Sequence, residues 1–146
     1  MQQLQGLHIL ILGLGASGLA MARWCARFGA DVVVADTREQ PPQLPALQQE
    51  WPDVRFVSGS FTADLVQGTD IRAVFTSPGL APEVTAPVLD AARASGLWVG
   101  GELSLFAQAL QDLKTERDYQ PQVLAITGTN GKTTVTSLTG QLVERA

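Results

Sequence analysis

His8-Ile-Leu-Ile-Leu12 followed at once by Gly13-Leu-Gly-Ala-Ser-Gly18 decides how this chain folds. The first run is apolar and too short for a helix, so it reads as a central strand buried on both faces. The G-x-G-x-x-G pattern then opens a helix with Leu19, Ala22 and Ala26 on one face, Arg23 and Arg27 on another, and Gly29 as its stop. Asp31-Val-Val-Val-Ala-Asp36 reads as a second buried strand that ends in a carboxylate. Strand, glycine loop, helix and strand make a βαβ unit whose loop turns backbone N–H groups toward a phosphate at a helix N-terminus. Asp36 lies about 20 residues beyond the glycines, where a dinucleotide fold places its ribose-binding acid.

A second phosphate-type stretch lies near the other end. Val123-Leu-Ala-Ile-Thr127 reads as a strand, Gly128-Thr-Asn-Gly-Lys-Thr-Thr134 as a loop, and Val135, Leu138, Leu142 and Val143 as one face of a following helix. Gly128 and Gly131 let the backbone curl around an anion, Lys132 reaches terminal phosphates, and the Thr133 hydroxyl is placed to ligate Mg²⁺. The general pattern asks for a glycine where Ile126 stands. A plain Gly-Asn turn, the competing reading, requires neither the lysine nor the threonines.

Between the two stretches the chain reads as further strands and helices. Thr37-Arg-Glu-Gln-Pro-Pro42 is a loop, Leu44 to Glu50 a short helix, Val54 to Val57 a strand, and Ser58-Gly59 a turn. Ile71 to Thr76 is a strand running into Ser77-Pro-Gly-Leu80, at the carboxyl end where open α/β sheets hold ligands. Thr85 is the expected N-cap of a helix with Pro87 in its first turn, a buried stripe of Val88, Leu89 and Ala92, and Gly96 as the stop. Leu97 to Val99 is a last short strand, and Lys114 to Gln122 an exposed linker. The expected fold class is therefore α/β. A Rossmann-like parallel-sheet domain occupies residues 1–100, and residues 101–146 hold a linker and the truncated start of a P-loop ATPase domain.

Composition narrows the function. The 146 residues are 45% hydrophobic and 16% charged, as in a globular chain, and the net charge of −4 argues against a nucleic-acid partner. No apolar run reaches the ~20 residues needed to cross a bilayer, so no membrane role is expected. Cys25 stands alone, which excludes an internal disulfide and agrees with a reducing, cytoplasmic setting. Lone His8 has no second His or Cys beside it in sequence, and a metal role for it is not expected.

Thr127-Gly-Thr-Asn-Gly-Lys-Thr133 resembles the ATP-binding loop of the Mur ligases, ATP-dependent enzymes that add amino acids during peptidoglycan synthesis. Gly-Leu-Gly-x-Ser-Gly followed by Asp-Thr-Arg is similar to the D-glutamate-adding branch of that family. The resemblance implies that Gly15, Ala16 and Ser17 hold the diphosphate of a UDP-linked substrate, and that Asp36, Thr37 and Arg38 surround the uracil and its neighbouring ribose or phosphate. It further implies that Ser77 and Gly79 face the nucleotide, and that Gly128, Thr129, Asn130, Gly131, Lys132, Thr133 and Thr134 bind ATP. Lys132 and Thr133 would carry the catalytic roles, Thr133 on Mg²⁺ with further ligands beyond residue 146. The implied reaction phosphorylates the carboxylate of UDP-N-acetylmuramoyl-L-alanine with ATP, after which the D-glutamate amine displaces phosphate. Glutamate is expected to bind through a domain beyond residue 146, so the chain by itself is expected to be inactive. A nicotinamide- or flavin-binding oxidoreductase domain accounts for the first loop and Asp36 but not for Gly128–Thr134. A non-catalytic nucleotide-binding module accounts for both.

Overall fold

The structure is a computed structural model and describes residues 2–146. Five strands, β1 (His8–Leu12), β2 (Asp31–Asp36), β3 (Arg55–Ser58), β4 (Ala73–Thr76) and β5 (Trp98–Gly100), form one parallel sheet in the order β3-β2-β1-β4-β5. The crossovers are α1 (Ala16–Arg27), α2 (Leu44–Glu50), a 3-10 turn at Ala63–Leu65, and α3 (Pro82–Ala94). The chain winds outward from β1 through β2 to β3, then returns to the other side of β1 for β4 and β5. That reversal falls between β1 and β4, whose carboxyl ends are the place where doubly wound sheets take ligands.

Period-two alternation divides the apolar residues of each strand between two layers. Ile9, Ile11, Val32, Val34, Ala73 and Phe75 point to the layer containing Leu19, Met21, Ala22 and Cys25 of α1 and Leu47 of α2. Leu10, Leu12, Val33, Ala35 and Val74 point to the opposite layer, with Val88, Leu89 and Ala92 of α3 and Phe61, Val66 and Ile71 from the β3–β4 connection. A strand covered on both faces has no use for polar side chains, which explains the unbroken apolar runs in β1 and β2. Phe75 and Trp98 meet edge to face with centroids 4.8 Å apart and close the first layer at the β5 side. Cys25 is fully buried, and desolvation raises its thiol pKa to about 12, consistent with a packing role.

Two sequence expectations are corrected here. Thr85 is not an N-cap: α3 starts at Pro82, and Thr85 sits inside the helix, buried, with its hydroxyl donating to the Pro82 carbonyl. Pro82 already supplies a favourable first-turn residue, so the helix begins earlier than the threonine suggests. Val123–Thr127 is not a strand but irregular coil, with Val123 58% and Leu124 68% exposed. A strand is held by ladder bonds to neighbours, and no other strand lies beside this segment among the described residues.

The remaining helices differ in what they bury. α4 (Glu102–Arg117) continues through part of the expected linker, and Leu105 and Ala109 on it are buried. It begins where the Ser104 hydroxyl accepts a bond from the Gly101 N–H, a side-chain cap on the first turn. α5 (Lys132–Arg145) buries none of its residues.

The glycines of the first loop have separate roles. A Cβ at Gly18 would come within 1.9 Å of the Gly13 carbonyl oxygen, so only glycine lets α1 approach the end of β1 so closely. At Gly15 a Cβ would meet nothing within 4 Å. Gly18→Ala is therefore expected to cost about 3 kcal/mol or more in urea unfolding, and Gly15→Ala less than about 1 kcal/mol. Equal costs at the two positions would contradict this division.

Candidate functional site

Three loop segments converge at the carboxyl edge of the sheet. Gly13 to Ser17 leaves β1, Asp36 to Arg38 ends β2, and Ser77 to Gly79 leaves β4. They are tied by backbone and side-chain bonds rather than by chain proximity alone. The Gly13 N–H donates to the Ala35 carbonyl at 2.7 Å, and the Ser77 N–H to the Leu12 carbonyl at 3.0 Å. The Ser77 hydroxyl donates to the Gly13 carbonyl at 3.1 Å. Gly13 adopts φ +87°, which sends the chain back across the strand ends toward α1.

Asp36 is the electrostatic centre of this edge. Its carboxylate is 1% exposed and accepts four N–H bonds. Leu14 N donates to Oδ2 at 2.7 Å and Arg38 N to Oδ1 at 2.9 Å. The Arg38 guanidinium donates from Nε to Oδ1 and from Nη2 to Oδ2, both at 2.8 Å. Burial pushes the Asp36 pKa up, but the Arg38 fork and the two backbone donors outweigh it and lower the pKa to about 2. Sequence reasoning singled out Asp36 and Arg38 but missed their partner, the Leu14 N–H. An acid at the end of the strand next to a glycine loop was the available signal.

The other residues of the group present open surface. α1 begins at Ala16 behind an N-cap glycine with no side-chain cap, so its first-turn N–H groups at Ala16 and Ser17 have no helical partner. Ala16 is exposed and Ser17 half-buried. Thr37 is exposed, and Arg38 is 53% exposed along its side chain. Gly79 is exposed, and a Cβ there would meet nothing within 4 Å. Unspent N–H groups beside two open glycines and a guanidinium form a cradle suited in kind to a diphosphate. A cleft of about 620 Å³ lies instead at the amino edge, lined by His8, Asp31, Arg55, Asp64 and Asp70. Its carboxylates oppose an anion, and the edge with the glycine loop is the better candidate for one.

The second group, Gly128 to Thr134, lies on local structure. Gly131 caps α5 with φ +76°, and Gly128 has φ +149°. The Lys132 amine donates to the Gly128 and Thr129 carbonyls and so folds over its own loop. Glycines, lysine and a helix N-terminus suit phosphate in kind, and Thr133 offers a hydroxyl to a hard cation such as Mg²⁺. The loop, Val135 and Leu138 are nevertheless all solvent-exposed.

The doubly wound parallel sheet, with a glycine loop and an acid on adjacent strands at its switch point, defines a Rossmann-like α/β domain. The chain belongs to the Mur ligase family: the model of the Mur ligase MurD-like N-terminal domain matches residues 7–101. A UDP-N-acetylmuramoylalanine–D-glutamate ligase from Albidiferax ferrireducens is 66% identical over 145 residues, covering 99% of this chain and 29% of the relative. One of the same description from Ralstonia nicotianae is 56% identical over 140 residues, covering 94% and 28%. The chain thus spans less than a third of the length of these relatives. The solved UDP-N-acetylmuramate:L-alanyl-gamma-D-glutamyl-meso-diaminopimelate ligase from Neisseria meningitides shares the fold, with TM-score 0.53, 24% identity, and 94% of this chain and 39% of that one covered. No helix among the described residues is long and apolar enough to cross a membrane.

Two measurements follow from these geometries. Asp36 has a lowered pKa, so its contribution is present above about pH 4 and is lost as pH falls toward about 2. A shift from 3.8 to about 2 corresponds to about 2 kcal/mol. Urea unfolding of the protein and of Asp36→Asn should differ most at neutral pH and converge below pH 4; a gap independent of pH would refute this role. The exposed 128–134 loop lacks packed support, so ATP should bind this chain no tighter than about millimolar. Micromolar affinity in calorimetry would show that the loop organises itself.

Proposed function

We propose that this chain is the amino-terminal part of an ATP-dependent amide ligase that joins D-glutamate to UDP-N-acetylmuramoyl-L-alanine in the cytoplasm. Residues 1–100 form its UDP-substrate domain, and residues 101–146 lead into its ATP-binding domain. The observation that carries this reading is the cradle at the carboxyl edge. The unspent N–H groups of Ala16 and Ser17, the open space at Gly15 and Gly79, and the Arg38 guanidinium converge there. The descriptions of the relatives supply the substrate class.

Within that reading, Gly15, Ala16 and Ser17 receive the diphosphate, chiefly through backbone donors whose direction is fixed by α1. Thr37 and Arg38 extend the pocket toward the uracil, and Asp36 lies beneath them. Ser77 braces Gly13, and Gly79 leaves room along the far wall. Gly128, Thr129, Asn130, Gly131, Lys132, Thr133 and Thr134 contribute to the ATP phosphates, and Thr133 contributes one ligand to Mg²⁺. ATP supplies the phosphoryl group that turns a carboxylate oxygen into a leaving group; the D-glutamate amine then forms the amide and phosphate departs. Lys132 neutralises charge on the transferring group.

Titration of the chain with UDP by calorimetry tests the site. The chain should bind UDP, Ser17→Ala should weaken it by about 1 kcal/mol, and Gly15→Val should abolish it by filling the phosphate's space. UDP binding that survives Gly15→Val undiminished would place the nucleotide elsewhere.

A further inference from the structure

The acid at the end of β2 has no free acceptor. A carboxylate offers about four lone-pair sites, two on each oxygen. Here Oδ2 takes Leu14 N and Arg38 Nη2, while Oδ1 takes Arg38 N and Arg38 Nε. The two backbone donors come with the fold, one from the glycine loop and one from the turn after β2. The two guanidinium donors come from a side chain that is 53% exposed and belongs to no core cluster. A dinucleotide fold uses an acid at this place to accept a hydrogen bond from the ribose 2′-OH, beside which lies the 3′-OH of the same diol. Any ribose hydroxyl needs an acceptor site, and the Arg38 fork takes the last one on each oxygen.

We propose that Arg38 is a specificity-determining residue: its fork closes Asp36 to the ribose diol of nicotinamide and flavin dinucleotides and leaves the diphosphate cradle to a UDP-type ligand. The inference rests on the UDP-site reading above for the ligand admitted, but not for the ligand refused. Buried and lacking acceptor capacity, Asp36 acts through others. It holds the Leu14 N–H, and with it the glycine loop, and aims Arg38 across the pocket. Two of the guanidinium's five N–H groups are spent on Asp36, and the other three remain for a ligand. A diol that entered would have to break a charge-assisted fork and strand a guanidinium beside it, with no acceptor offered in exchange.

Removing the fork should reverse the preference. Without it Asp36 keeps Leu14 N and the residue-38 N–H, retains its charge, and regains one open site on each oxygen. The test titrates NAD⁺ and UDP into the chain, Arg38→Ala, Arg38→Met and the Asp36→Asn/Arg38→Met double variant. Arg38→Met keeps the aliphatic stem, so a change shared by both single variants is not a packing effect. The unaltered chain should bind UDP and show no saturable NAD⁺ binding. Both single variants should lose about tenfold or more in UDP affinity and gain about tenfold or more in NAD⁺ affinity. The double variant should lose the gain, because the gain requires the carboxylate. No NAD⁺ gain in either single variant, or NAD⁺ binding by the unaltered chain equal to theirs, overturns the proposal. An unaltered chain that ignores UDP while the single variants gain NAD⁺ upholds the gate and sinks the UDP reading instead.

Discussion

The 2.7 Å hydrogen bond from the Leu14 N–H to the Asp36 carboxylate joins the two strands on which the candidate site is built. The β ladder already sets β1 beside β2, with Leu12 opposite Ala35. The ladder ends there, however, and the glycine loop has to be directed after its last rung. Gly13 bonds to the Ala35 carbonyl, Leu14 to the Asp36 side chain, and the chain then turns into α1 at Ala16. A charged acceptor almost wholly withdrawn from water makes that bond stronger than a neutral one, and its removal would leave a buried donor unsatisfied. The position of the α1 N-terminus, and so the direction of the cradle, follows from that contact.

Close packing and anion binding make different demands on the same motif. Gly18 has no room for a methyl group because the Gly13 carbonyl lies against it, whereas Gly15 has nothing near it. The first is a constraint of the folded chain, the second an empty volume that costs nothing to fill until a ligand arrives. The spacing G-x-G-x-x-G does not say which glycine does which. The distances do: they give Gly18 to helix–strand approach and leave open space at Gly15.

Most of the first domain was legible because its determinants are local. Runs such as Ile9–Leu12 and Val32–Ala35 have one plausible solution, a strand covered twice, and Leu44–Glu50 formed as expected from its own pattern. The less legible points depend on hydrogen bonds that no residue pattern announces, some local and some between segments distant in sequence. The position of Asp36 points to a ligand contact, and the structure adds its donors, Leu14 and Arg38, one of them a backbone group no side-chain pattern reports. Ser77 is expected to face the nucleotide, and the bond from its hydroxyl to Gly13, 64 residues away in sequence, is one that no local pattern reports. Thr85 misled because a threonine before an apolar stripe resembles a cap, while the proline three residues earlier had already started the helix.

The same contrast separates the two phosphate-type loops. α5 forms because a helix makes its own hydrogen bonds, and Gly131 in the left-handed region gives it a start without help from elsewhere. The segment before it cannot do the equivalent. Val123–Thr127 has the composition of a buried strand, but a strand's bonds belong to its neighbours, and its side chains remain largely in water. Val135, Leu138, Leu142 and Val143 stay exposed along α5 for the related reason that a helix stripe is buried only against another element. Helix and turn geometry in the second loop is thus set by sequence alone, whereas the aim of its donors is not. In the first loop five strands, two layers and one buried carboxylate fix that aim, and this difference, rather than the glycine spacing, separates a loop whose donors are aimed by the fold from one whose donors are not.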